Sequence, residues 1–407
     1  MSLYYTKINS QDVDIFDNRY YKIMKQVSIF TGTWPFAENI QKIVQSVVCF
    51  SLVTGMGPQI YCLYQRICSR NLDEILDILT PFFVMLMSTA QLIIHRINTE
   101  KVKNFIVSIR NDWKTWTDQT NEHEILCAYG ESNTIFMLFF AGHVLAILVV
   151  FVGVPFSPII LDYIIPLNES RPKQFVYPVT FWFDHEKYFY FIIIHGCITG
   201  SIIVIFLESS EAMYAIFTHH ACALFAIISY RFKNAINFIE NNKFKNDKEA
   251  EIELYEIMSL TVKLHSSYID FANALEDFFS PVLFFSVGFY TLSASSIGFQ
   301  ALISLGELDK TIRFSVSAVG IMVHLFILTL PGQKLLDCSY DVVQNAYDAS
   351  WYQMPIRVRK LLLMISMRGH IPCKVTAGKI YVVNMITFSA LLRTAVSYLT
   401  MFISIRS

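Results

Sequence analysis

Charge is what this chain of 407 residues has least of: 16% of its residues are Asp, Glu, Lys or Arg, against 54% hydrophobic. A soluble domain carries about 25% charge, so the shortage excludes an ordinary soluble protein and points to one whose solvent is lipid. The net charge of −1 leaves no strongly basic surface for a nucleic acid, and no nucleic-acid motif occurs. The eight cysteines (49, 62, 68, 127, 197, 222, 338 and 373) contain no CxxC pair. They read as free thiols in helices and cytosolic segments, with Cys62 and Cys68 left open as a disulfide in an extracellular turn. A phosphate loop, a nucleophile–base pair and a metal-ligand spacing are also missing, so no enzyme activity, cofactor or metal is expected. Met1 to Phe30 has no basic stretch followed by an apolar one, so no cleavable signal peptide is expected and insertion relies on the first span.

What is present is a series of long apolar runs. A bilayer core about 30 Å thick needs roughly 20 apolar residues per helix. Seven runs qualify, at about 40–62, 75–95, 134–155, 188–208, 279–303, 314–331 and 380–405. Met213 to Tyr230 is partly apolar but holds His219, His220 and Cys222 and follows the fourth run with little room for a turn. It is expected to extend the fourth helix into the cytosol. The expected fold is therefore an all-α membrane protein with seven transmembrane helices. Its parts are a cytosolic segment 1–39, helices one to four in 40–208 with an extracellular loop 156–187, and a cytosolic helical extension 209–278. Helices five and six follow in 279–331, then cytosolic anchor helices 332–379, and helix seven with a short tail in 380–407.

Lysine and arginine set the direction. With the N-terminus inside, 23 of them fall in cytosolic stretches and 8 outside, while Arg393 lies within the last span. The one Asn-x-Ser/Thr sequon, at Asn168, falls in a loop that this topology places outside, where glycosylation occurs. A cytosolic N-terminus is the reverse of G-protein-coupled receptors. Their Asp/Glu-Arg-Tyr and Asn-Pro-x-x-Tyr signatures are absent too, so no G protein is expected.

The C-terminal third carries a resemblance. Tyr347, Ser350-Trp351-Tyr352, Arg357-Val358-Arg359-Lys360, Met367-Arg368, Ala377-Gly378, Phe388, Leu392-Arg393-Thr394 and Ser397-Tyr398, with the inverted seven-helix topology, resemble the insect odorant receptor family. A weaker match runs from His265 through Leu275-Glu276 to Phe279-Ser280. The co-receptor of that family has an enlarged cytosolic segment between helices four and five. Here that segment spans only about Ser209 to Leu275, so the resemblance is to a ligand-tuning subunit. It implies a heterotetramer with co-receptor subunits in the plasma membrane of sensory dendrites, forming a cation channel gated by a small volatile organic ligand. A gustatory-type homomeric channel is the alternative.

The last helix is the expected pore lining, because a polar face in lipid must turn to protein or water. Arg393, Ser397, Met401, Ser404 and Ile405 are the pore and gate candidates. No acidic residue lies between Ile380 and Ile405, which predicts poor discrimination among cations. Trp351 and Tyr352, with Val358, Leu361, Leu362 and Ile365 at helical spacing, are expected to anchor subunits or lie on the inner-leaflet lipid. Ile252, Tyr255, Met258, Val262 and Ile269 form a second expected buried stripe. The resemblance places the ligand in the outer half of the bundle, with Phe83, Met87, His143, Ile147, Tyr190, Ile194, Tyr290 and Phe314 as candidates. An apolar, aromatic pocket suits a small volatile. His143 and His195 lie in spans and are expected to be neutral and hydrogen-bonded.

Overall fold

The computed structural model describes residues 14–70, 72–164, 171, 174–235 and 247–406. Asn168 lies outside the described residues. The molecule is an all-α membrane protein whose seven spans are α2 (Glu38–Ser69), α3 (Leu72–Ile97), α5 (Thr120–Gly153), α7 (Phe189–Lys233), α8 (Asp247–Ile303), α9 (Leu308–Asp348) and α11 (Met385–Arg406). Among the described residues four shorter α-helices accompany them: α1 (Lys22–Thr31), α4 (Thr99–Trp116), α6 (Ser157–Ile164) and α10 (Ile356–Gly369).

Several spans outrun a bilayer. The 45 residues of α7 make a helix about 67 Å long and the 57 of α8 one of about 85 Å, against a core of about 30 Å. Met213 to Tyr230 belongs to the uninterrupted α7. This half of α7 is apolar around its whole circumference, and such a helix must be buried on every side. Tyr214, Phe217, Leu224 and Phe225 are all fully buried there. Around it pack α1, α4, α5, α8 and α9, and α10 packs in turn on α8 and α9, forming the larger hydrophobic core at the base of the molecule. Within that core the Trp113 and Trp116 indoles donate to the Tyr21 and Tyr268 hydroxyls, both at 3.2 Å. Both of these indole N–H groups thus have an acceptor.

A smaller core lies at the opposite end of the bundle, where the segment 174–188 precedes α7. Val176, Tyr177 and Val179 of that segment turn inward against Val48, Leu52, Met85 and Phe206.

Cys62 and Cys68 are not in a turn. Both sit on α2, which continues to Ser69, and both are free. Six residues apart on one helix they are about 9 Å apart along the axis and point to different sides, beyond the reach of a disulfide.

The last helix begins at Met385 and not at Ile380, because Thr376–Ala377 (β1) and Tyr381–Val382 (β2) form a small antiparallel hairpin. Gly378 and Lys379 both take positive φ, as the centre of a primed-type turn requires, and Ile380 N–H closes that turn on Ala377 O at 3.1 Å within a three-residue loop. A Cβ at Gly378 would come within 2.6 Å of the Phe284 ring, so only glycine fits. The hairpin docks on α8 beside Pro281, which interrupts the helical hydrogen-bond ladder. Gly378 N–H donates to Ser280 O at 2.9 Å, and Lys379 Nζ reaches Asp277 at 2.8 Å and Glu276 at 3.1 Å. The side chain of Asn384 then accepts from Thr387 N–H at 2.9 Å, capping the start of α11.

Candidate functional site

Two regions carry the chemistry expected of a receptor: an aromatic zone in the smaller core and the outward face of α11. In the first, Met87 of α3 and Tyr290 of α8 are buried in one cluster with Leu325 of α9. Phe83 stacks on Phe289 with ring centroids 5.5 Å apart, and Phe289 stacks in turn on Phe285 at 6.1 Å. His143 of α5 stacks on His324 of α9 at 5.5 Å, with His143 Nε2 3.3 Å from His324 Nδ1. The Tyr290 ring packs edge-on against the same His324 at 4.6 Å. Four of the expected ligand residues thus converge on facing helices: Phe83, Met87, His143 and Tyr290.

The other four do not join them. Ile147 is half-buried one turn beyond His143, and Phe314 is half-buried under the Arg313 guanidinium at 4.8 Å. Tyr190 and Ile194 lie on the outward face of α7, more than half exposed, whereas Phe189, Ile192 and Ile193 turn inward. An apolar helix carries no periodic signal to say which side faces its neighbours, so spacing misplaced these two.

Residues with no place in the expected set fill the inward side. Phe175, Val176, Tyr177, Val179, Ile192 and His195 line a recess of about 10 Å³, partly open to solvent. That is room for about one water molecule, so the side chains here are closely packed and form no preformed ligand cavity. The signal was an apolar run, Phe175-Val176-Tyr177-Pro178-Val179, inside a loop. Loops normally keep to the surface and to polar residues, so such a run must find cover.

In the second region, α11 rests on its own subunit by one side only. Phe388, Leu391, Ala395, Leu399 and Phe402 make that side, with Phe388 against Phe326 at 5.5 Å and Phe402 against Phe299 at 6.0 Å. At about 100° per residue, Arg393, Ser397, Thr400 and Ser404 fall within roughly 60° of one another and diametrically opposite. All four are exposed, as are Met401 and Ile405. Of its most apolar stretch only 6% is buried, against 67% for α8. Among the described residues Arg393 forms no ion pair.

The anchor residues divide. Val358, Leu362 and Ile365 are buried in the subunit's own core, and Leu361 is half-buried against it, so this stripe is spent internally. What α10 leaves free is its other side, with Ile356, Leu363, Met364 and Met367 exposed, next to exposed Trp351 and Tyr352. On α8, Met258 and Ile269 are buried and Val262 is half-buried, whereas Ile252 and Tyr255 are exposed.

No metal cluster was expected from spacing. Among the described residues, Glu208, Glu211 and His324 nevertheless bring potential ligand atoms within 4.8 Å of one another.

A family profile described as "7tm Odorant receptor" matches residues 71–396, most of the chain. The chain belongs to the 7tm odorant receptor family. It is 22% identical to odorant receptor 13a of Drosophila melanogaster over 404 residues, covering 92% of this chain and 93% of that one. The odorant receptor coreceptor of Anopheles gambiae matches at 18% over 177 residues, covering 42% of this chain and 36% of that one. An end-to-end match to a receptor and a partial one to a coreceptor make this a chain of the receptor type, not a coreceptor and not an enzyme. The fold is similar to that of the insect olfactory receptor OR5 from Machilis hrabei, with a TM-score of 0.75 at 12% identity over 97% of this chain and 100% of that one. The structure of the same receptor in complex with eugenol matches with a TM-score of 0.73 at 12% identity over 95% of this chain and 100% of that one.

Proposed function

We propose that this receptor is the odorant-binding subunit of a ligand-gated, poorly selective cation channel, assembled with co-receptor subunits as a heterotetramer in the plasma membrane. The observation that carries the reading is the polar stripe of α11, turned directly away from the subunit's own core. Arg393, Ser397, Thr400 and Ser404 facing hydrocarbon would be costly, with an arginine alone at roughly 2.5–3.5 kcal/mol on insertion scales. A water-filled axis shared with neighbouring subunits removes that cost. In this arrangement the N-terminus and the base are cytosolic, and the α11 end bearing Met401, Ser404 and Ile405 forms the outer constriction. The exposed Trp351, Tyr352, Leu363 and Met367 supply apolar surface for assembly at the base.

A small hydrophobic volatile binds in the aromatic zone around Phe83, Met87, Tyr290 and Phe289, with the inserted Tyr177 segment above it. Binding shifts the population toward a state in which the α11 helices stand farther apart. Two-electrode recording in oocytes tests this, with the chain expressed alone and with a co-receptor under a panel of volatiles. Ligand-evoked current only with the co-receptor, reversing near zero in mixed cations, is the expected result. Robust current from the chain alone replaces the reading with a homomeric channel, and silence in both with surface expression confirmed removes the channel.

A further inference from the structure

At the middle of the molecule two glutamates are buried where lipid-facing helices ordinarily carry none. Glu208 and Glu211 stand one turn apart on α7, facing His324 on α9, and all three are almost fully buried. His324 Nε2 lies 2.6 Å from Glu211 Oε2, and His324 Nδ1 lies 3.7 Å from Glu208 Oε1. The ring of His143, from α5, adds a second imidazole nitrogen 3.3 Å from His324 Nδ1. Yet Oε2 of Glu208 has no hydrogen-bond partner among the described residues, while Glu211 also has the Tyr290 hydroxyl beside it. Buried carboxylate oxygens without partners are rare, and such sites call for an unseen water, proton or ion.

We propose that this cluster is a binding site for a divalent transition-metal ion, with zinc the best fit. Charge is the first argument. Two carboxylates and one protonated imidazole leave an excess negative charge in a low-dielectric interior, whereas two carboxylates, neutral imidazoles and a divalent cation sum to zero. Donor chemistry is the second, since histidine nitrogen and carboxylate oxygen together suit Zn²⁺. Geometry is the third. An ion bound about 2.0–2.2 Å from each ligand holds neighbouring tetrahedral ligands roughly 3.3–3.6 Å apart. His324 Nδ1 already stands 3.7 Å from Glu208 Oε1 and 3.3 Å from His143 Nε2. Glu211, on the other ring nitrogen, then plays the carboxylate that orients a metal-bound histidine. A small cavity of about 10 Å³, lined by Phe136, Phe140 and Tyr214 among others, adjoins Glu211 and His324. Because the clustered ligand atoms come from α7 and α9, the ion would tie those two spans together beneath the aromatic zone, with His143 of α5 stacked on His324. The site stands on its own residues and does not depend on the channel reading.

The purified full chain in detergent tests it, with Co²⁺ as a spectroscopic probe and Zn²⁺ as a stabilising ligand. The expected result is an intense tetrahedral Co²⁺ spectrum without a thiolate charge-transfer band, displaced by Zn²⁺, together with a rise in melting temperature on adding Zn²⁺. Glu208→Gln and His324→Asn should abolish both signals, Glu211→Gln should weaken affinity by about 10–100-fold as outer-shell changes do, and His370→Ala should change nothing. The wild-type spectrum decides even where a variant does not fold. A weak octahedral spectrum overturns the proposal and leaves the cluster as a proton-held ion pair. A thiolate band also overturns it, moving the ion to cysteine, as does an undiminished Zn²⁺ shift in Glu208→Gln.

Discussion

Gly332 offers the sharpest test of how the last helix is attached. It sits mid-way along α9, where the chain between the hairpin and α11 crosses it so closely that an added Cβ would overlap the Val383 carbonyl oxygen. The same Cβ would meet the Tyr214 hydroxyl at 3.0 Å. Backbone cannot rotate out of the way as a side-chain tip can, so Gly332→Ala must push the α11 attachment and α9 apart. Overpacking of this kind costs about 1–3 kcal/mol. Against it stands the gain of replacing a mid-helix glycine by alanine, up to about 1 kcal/mol. Gly320 isolates the two terms, because it lies on the same helix and nothing comes within 4 Å of its added Cβ. Gly320→Ala therefore keeps the helix gain and escapes the clash. The expected outcome is that Gly332→Ala melts below Gly320→Ala by a margin equal to the clash, measured by intrinsic-fluorescence melting of both variants in one detergent. At no more than about 2–4 °C per kcal/mol for a chain of this size, the separation is a few degrees. Equal melting temperatures would mean that the backbone contact relaxes without cost, and the attachment would then not be rigid.

Leu362→Ala removes a buried side chain of α10 and should destabilise the isolated subunit by about 2–5 kcal/mol. Exposed Leu363→Ala should change its melting little and instead reduce co-purification with a co-receptor. Tyr290→Ala should weaken activation by volatiles at least about tenfold, the scale of losing one well-packed aromatic contact, while Tyr190→Ala on the outward face should leave the dose–response unchanged. Asp14 predicts a pH effect at the base. Burial pushes its carboxyl up, but the Arg110 hydrogen bonds (2.9 and 2.5 Å), the Phe16 N–H and the charges of Arg110 and Lys25 outweigh that and hold it below the usual aspartate value. Its stabilisation is therefore full above the ordinary aspartate pKa and is lost as pH falls through the lowered one. Asp14→Asn should cost at most about 1 kcal/mol near neutrality, as a half-exposed pair does, and should flatten the acid limb of a melting-temperature profile. Arg393→Ser, removing the one charge from the polar stripe, should raise cation current through co-expressed channels at unchanged surface expression.

Hydropathy located all seven spans because a bilayer demands a run of fixed length, and α11 was recognisable from its single arginine and lack of acids. It misjudged where helices end, because backbone hydrogen bonds continue past the bilayer wherever protein covers them. α9 runs on to Asp348 for that reason, whereas the continuation of α7, which reaches Lys233, was expected from the lack of room for a turn before Met213. The start of α11 was misread by five residues, since Ile380 to Val382 is as apolar as the helix it precedes and only the Gly378-Lys379 turn separates them. In the aromatic zone, Met87, His143 and Tyr290 were legible as bulky residues at one depth. Tyr190 and Ile194 were not separable from them, because rotation about a helix axis is set by neighbours that one span does not encode. The Glu208–Glu211–His324 cluster joins residues more than a hundred positions apart, a pairing no local spacing reveals.

The attachment of α11 is unequal along its length, and that has a mechanical consequence. Its lower end is fastened by directional bonds: Val383 N–H to Val375 O at 2.8 Å, Met385 N–H to Gln333 Oε1 at 3.2 Å, and the hairpin clamped at Ser280. Farther along, Leu399 and Phe402 rest on the subunit by apolar contacts, and these can slide. The helix is thus a lever with a fixed fulcrum. A helix of 22 residues is about 33 Å long, so a tilt of about 5° at the fulcrum swings its far tip by about 3 Å. That displacement rivals the width of a water molecule, so a packing change of under an ångström near the pivot is enough to move the tip by a whole atom.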